Sequence, residues 1–128
     1  MKGNKMTEIN KPELNDGETY AGAIINPDST GYHLILLAGD KDDGNWNDAM
    51  EWAKEQGGDL PNRVESALLF NQSKDQFKSE WYWTNEQHAS NSDYAWSQLF
   101  INGDQHYWDE TYELRACAVR RLVMWYNE

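Results

Sequence analysis

The stretch from Ser97 to Tyr112 holds the residues best suited to touch another molecule. It carries Asn102, Asp104, His106, Tyr107, Trp108, Asp109 and Tyr112 around one Asn-Gly pair. Tyr, Asn, Asp and Ser make adaptable polar contacts at low conformational cost. A Trp among them supplies the large area typical of a binding anchor. These residues form the candidate ligand-binding set, with Trp108 as the candidate anchor. The competing reading is an ordinary hairpin with polar loops.

Catalytic chemistry finds less to work with. His33, His88 and His106 lie in three separate segments, and none has the spacing of a metal site. No nucleophile, base and orienting group can be assigned. The single cysteine, Cys117, sits beside Ala116 and Ala118 in an apolar stretch and reads as a buried structural thiol. The chain is therefore expected not to be an enzyme, with no catalytic residue, metal or cofactor. Asp40, Asp42, Asp43, Asn45 and Asp48 form an oxygen-rich run, but an EF-hand needs Gly at its sixth position and Gly44 is fifth from Asp40. A solvated charged loop is the expectation. Arg115, Arg120 and Arg121 could gather an anion. In a chain this acidic, pairing with carboxylates such as Glu65 or Glu86 is the expected use. Strand alternation would put Arg115 and Arg121 on one face.

The charge balance narrows the partners. Acids number 22 against 11 bases, for a formal net charge of -11. Direct nucleic-acid binding and an anionic membrane surface are disfavoured, because both rest on basic side chains. A basic protein partner or a bound cation fits. A lone cysteine excludes an intrachain disulfide and suits a reducing compartment. The first residues lead into polar sequence, so no signal peptide and no transmembrane segment are expected. Mean hydropathy is low at -0.92, yet the chain holds 7 Trp, 7 Tyr and 3 Phe. The core must be built from aromatics.

Several elements have to position these groups. Residues 1–17 read as a polar N-terminal arm, and 18–128 as a single domain. Thr19 to Ile25 and Tyr32 to Leu37 read as a hairpin around the turn residues Asn26 to Gly31. Gly39 to Gly44 reads as an acidic loop. Asn45 can cap a helix to about Gln56, stopped by Gly57, with Trp46, Ala49, Met50 and Ala53 facing the core. A second helix follows Pro61. Asn62 and Glu65 have capping-box spacing, and Val64, Ala67 and Leu68 supply its apolar stripe. Trp81 to Thr84, Tyr94 to Phe100 and Asp104 to Trp108 read as strands, the last two joined at Asn102-Gly103. Leu114 to Leu122 reads as one closing strand. Two strands, two helices and several strands give an α+β domain.

Some of these residues recur together in a known family. They are Trp46-x-x-Ala49-x-x-Trp52-Ala53, then Gly57-Gly58-Asp59-Leu60-Pro61-x-Arg63-x-Glu65 and Trp83-Thr84-x-Glu86. Ala95-Trp96-x-x-x-Phe100 with Asn102-Gly103 follows, and Arg115-Ala116-x-Ala118-Val119-Arg120-Arg121 closes the series. Over roughly residues 18 to 123 the chain resembles the bacterial and phage family typified by the C-terminal domain of a collagen-like adhesin of Legionella. The resemblance implies a C-type-lectin-like fold related to the formylglycine-generating enzyme branch: two helices packed on a twisted antiparallel sheet with a loop-rich face. It does not bring the enzyme's chemistry, which uses a pair of cysteines. The sugar motifs Glu-Pro-Asn and Gln-Pro-Asp are absent. Trp46-Asn47-Asp48 matches the lectin calcium tripeptide but opens a helix. The segment Ser97 to Tyr112 also resembles the retroelement-diversified regions of some C-type-lectin-like phage proteins.

The expected function is a non-enzymatic domain, phage- or prophage-encoded, that binds a protein or glycan through the face 97–112. Its expected place is the host cytoplasm or the virion. Two alternatives stand beside it: an acidic protein blocking a basic site on a host protein, and a structural component of the virion.

Overall fold

The computed structural model describes residues 11–124. The first ten residues of the expected arm lie outside the described residues. Residues 11–18 run without regular structure to a turn at Asp16-Gly17. The described residues form a mixed α+β domain, with two α-helices and eight strands in two sheets.

Strands β1 (Thr19–Ile25) and β2 (Gly31–Leu36) form the expected hairpin, and β2 also pairs with β8 (Val119–Val123). The second sheet has the order β3-β7-β4-β5-β6. Its members are β3 (Lys41–Gly44), β4 (Trp81–His88), β5 (Asn91–Leu99), β6 (Gln105–Asp109) and β7 (Leu114–Ala116). All its pairings are antiparallel except the single contact of β4 with β7, Tyr82 opposite Arg115.

Two strand expectations need correcting. The acidic loop is in part a strand, because Lys41 and Gly44 pair with Ala116 and Leu114. The single closing strand is two strands in different sheets, separated at Cys117-Ala118. Both residues are buried, and their small side chains let the chain cross between sheets inside the core. Arg115 and Arg121 therefore do not share a strand face. Arg115 pairs with Asp40 and Asp42, Arg120 with Glu18, and Arg121 with Asp59 and Glu65. Carboxylate pairing is thus the use of all three arginines, and two residues of the acidic run, Asp40 and Asp42, serve the buried Arg115.

Helix α1 (Trp46–Glu55) starts where Asn45 Oδ1 accepts the N–H of Asp48 at 2.9 Å. It stops in a Schellman turn: Gly57 N–H reaches Lys54 O, Gly58 N–H reaches Ala53 O, and Gly57 takes φ +89°. Trp46, Ala49 and Ala53 are buried, as the spacing predicts, and Met50 packs partly against them. Trp46-Asn47-Asp48 is the first turn of this helix.

Helix α2 (Arg63–Ser73) opens on the expected capping box. Glu65 N–H donates to Asn62 Oδ1, and Asn62 N–H donates to Glu65 Oε1, both at 2.8 Å. The predicted apolar stripe is wrong. Val64 is 64% exposed, Ala67 is exposed and Leu68 only half-buried. The inward face is Glu65, Ser66, Leu69 and Ser73. Glu65 can face inward here because Arg121 and Tyr32 pair with it, and Gln98 donates to the Ser66 carbonyl beside it. Asn62→Ala is expected to cost about 1 kcal/mol, since Glu65 can still take the Asn62 N–H. A thermal melt should show the loss, with ligand binding unchanged below the transition. Wild-type stability with lost binding would make this corner a site instead.

Candidate functional site

Strand β6 is the outermost strand of the second sheet, and no other strand pairs with its far side among the described residues. The flanking bonds Leu99 N–H to Asp104 O and Glu110 N–H to Asp93 O fix the alternation with β5. Antiparallel geometry then turns the backbone N–H and C=O of Gln105, Tyr107 and Asp109 away from β5. Edge strands of this kind can pair with another chain, and charged neighbours such as Asp104 and Asp109 restrain that.

The register sorts the side chains. Tyr94, Trp96 and Gln98 of β5 stand opposite Asp109, Tyr107 and Gln105, whereas Ala95 and Ser97 stand opposite Trp108 and His106. On the first side Tyr107 meets Trp96 edge-on with centroids 5.2 Å apart, His88 at 4.4 Å and Tyr94 at 5.8 Å. On the second side Trp108 meets Trp81 at 5.5 Å and Tyr112 at 5.3 Å. His106 joins the two groups: it stacks on Tyr107 at 4.9 Å and meets Trp108 edge-on at 5.4 Å. A continuous aromatic belt therefore wraps the free edge of the sheet. Each such pair adds on the order of 1 kcal/mol beyond its burial, so the belt presents a preorganised surface.

A polar ladder holds β6 against α2. The Arg63 guanidinium lies 3.5 Å from the Trp96 ring centroid, and its Nε donates to Gln105 Oε1 at 3.0 Å. Gln105 Nε2 donates to Arg63 O and to Gln98 Oε1, both at 2.8 Å. Gln98, fully buried, passes the chain on to Ser66 O. Glu86 accepts the Arg63 backbone N–H at 2.8 Å, so Glu86 serves the start of α2 and not one of the C-terminal arginines.

The expected site residues divide among these roles. His106, Tyr107, Trp108 and Tyr112 join the belt. His106, Tyr107 and Tyr112 are its exposed members among these, the two tyrosines at 38% and 52%. Trp108 packs against the core beneath α1, and its Nε1 is buried without an acceptor among the described residues. It is a support for the surface, not a free anchor. Asn102 and Asp104 stay outside the belt and bond each other within the turn. Asp109 accepts the N–H and hydroxyl of Thr111, and those hydrogen bonds hold its carboxyl below the usual range. Trp81, His88, Tyr94, Trp96 and Arg63 belong to the same surface and were not in the expected set. Strand pairing brings the four aromatic residues there, and the first turn of α2 brings Arg63.

The other reactive groups are spoken for. Burial pushes the Cys117 thiol far above its ordinary value, which leaves it inert as a nucleophile. His33 Nδ1 shares a 2.8 Å hydrogen bond with Tyr20 Oη. The fold and this surface define an α+β domain with an aromatic-belted sheet edge. No protein-family model and no curated protein matches the chain. No helix among the described residues is long and apolar enough to cross a membrane.

Proposed function

We propose that this chain is a non-enzymatic binding domain of phage or prophage origin, with a C-type-lectin-like arrangement, that contacts a protein or glycan through the belt around β6. The carrying observation is that belt: packed aromatics on both sides of an unpaired edge strand, with Tyr107 and Tyr112 standing out to solvent. Rigid aromatic side chains give contact area at small entropic cost, and the Arg63–Gln105–Gln98 ladder fixes the strand that carries them. The order of hairpin, two helices and later strands supports the lectin-like arrangement.

Glycan arrays and immobilised surface proteins, probed with the purified domain, test the reading. Tyr107→Ser combined with Tyr112→Ser is expected to weaken any captured ligand by ~2 kcal/mol or more, a change of about thirtyfold. A melt of the same variant separates lost contact from lost folding. Undiminished capture by a folded double variant would remove the belt as the binding surface, and so would a wild-type domain that captures nothing.

A further inference from the structure

A cleft opens beside Trp81, on the side of the sheet that carries Trp108. It has a volume of about 330 Å³ and is lined by Asp43, Ser79, Glu80, Trp81, Leu99, Glu113 and Leu114. That lies at the small end for ligand pockets, enough for one side chain. Its composition is unusual in this molecule. Asp43, Glu80 and Glu113 all line it, no Lys or Arg does, and none of the three is in an ion pair among the described residues. The arginines that could neutralise such a cluster are taken by Glu18, Asp40, Asp42, Asp59 and Glu65. The remaining wall is apolar: Leu99, Leu114 and the Trp81 indole, which meets Trp108 of the belt edge-on.

We infer that this cleft receives a lysine or arginine side chain from a basic protein partner, an inference that rests on the binding-domain reading and names its partner class. The match is chemical. A Lys or Arg side chain has an apolar stem and a cationic head. Leu99 and Leu114 suit the stem. The Trp81 ring and whichever of the three carboxylates the head reaches suit it, through cation–π attraction and charge pairing. A hard metal ion would need several oxygens on one point, and no group of three His, Cys, Asp or Glu among the described residues is so placed. The net charge of -11 speeds the approach of a basic partner without choosing where it lands. Contact between Trp81 and Trp108 makes the cleft continuous with the proposed surface.

The test uses two short capped Gly-Ser peptides, one carrying two lysines and the other norleucine at the same places. The readout is the NMR signal of the Trp81 indole N–H, assigned from a Trp81→Phe spectrum. The lysine peptide should shift it saturably, and the norleucine peptide should bind about tenfold more weakly. Glu80→Gln with Glu113→Gln should weaken the lysine peptide by about fivefold. Glu51→Gln with Glu55→Gln, which removes equal charge from the exposed side of α1, should leave it unchanged. Equal binding of both peptides, equal weakening by both double variants, or no shift at all overturns the inference. If the cleft fails while Tyr107→Ser with Tyr112→Ser still abolishes ligand capture, the binding-domain reading stands without it. If the lysine peptide binds as expected and the tyrosine variant loses nothing, the cleft stands and the belt falls.

Discussion

Replacing Arg121 by methionine is expected to cost about 3–5 kcal/mol, because it strips a buried carboxylate of its counter-charge. Glu65 is 0% exposed. The Arg121 fork grips it twice, Nε to Oε2 at 2.6 Å and Nη2 to Oε1 at 2.8 Å, while Nη1 reaches Asp59 at 2.9 Å. Tyr32 Oη also donates to Glu65, and burial together with that bond pushes the phenol up to about 12. Burial alone would raise the Glu65 carboxyl. Hydrogen bonds from Arg121, Tyr32 and the Asn62 N–H, with the Arg121 charge, outweigh it and hold the carboxyl below its ordinary 4.5. In the native protein this contribution is complete above pH 4.5 and fades as the pH falls through the lowered value. Without Arg121, burial, the largest single influence, is opposed only by Tyr32 and the Asn62 N–H, and the carboxyl is expected to move upward. The variant's penalty is then full at neutral pH and shrinks as the pH falls towards the ordinary carboxyl range. Urea unfolding of both proteins from pH 7 down to about 4 should show the two stabilities converging in acid. A constant gap, or a loss under about 1 kcal/mol at pH 7, would mean the pair is a surface contact in effect.

The same pair shows why some of the fold was legible in the sequence and some was not. Caps and turns are local. Asn45, the Asn62–Glu65 box and Gly57 announce helix ends within a few residues, and the structure has all of them there. The inward face of α2 is not local. Val64 looks buriable and Glu65 does not, until Arg121 arrives from the far end of the chain to neutralise it. The crossing at Cys117-Ala118 is hidden for a similar reason. Small residues report close packing but not that the strands on either side join different sheets. The candidate surface divides the same way. Tyr107 and Tyr112 could be found by residue type, because they lie in the polar stretch that attracted attention. Trp81, His88 and Trp96 could not, since only the pairing of β4, β5 and β6 sets them beside Tyr107 and Trp108. Asn102 and Asp104 are ligand-type residues by sequence, yet their polar atoms serve the turn.

Trp83→Ala is expected to cost about 3–5 kcal/mol, towards the top of that range. The indole is fully buried in the core between α1 and the second sheet. Around it stand Ala49, Ala53, Ala95, Ala116 and Ala118, with Leu37, Trp46 and Leu60. Small neighbours on rigid helix and strand backbones cannot collapse into the space a Trp leaves, so the cavity persists and its cost with it. A second loss is polar. Trp83 Nε1 donates to Gly44 O at 2.9 Å, and Trp46 Nε1 donates to Thr84 O at 2.7 Å. These two bonds tie β3 and α1 to β4. Removing the first leaves the carbonyl of a buried glycine without that donor. Trp83→Phe keeps most of the volume and loses the bond, so it should fall between wild type and Trp83→Ala. Tyr112→Ala, at the exposed end of the belt, loses the single pair with Trp108 and should cost about 1 kcal/mol. Urea unfolding with unchanged slopes would order the three variants. If Trp83→Ala lost no more than Tyr112→Ala, the alanine-lined core would have to be held by Trp46 alone.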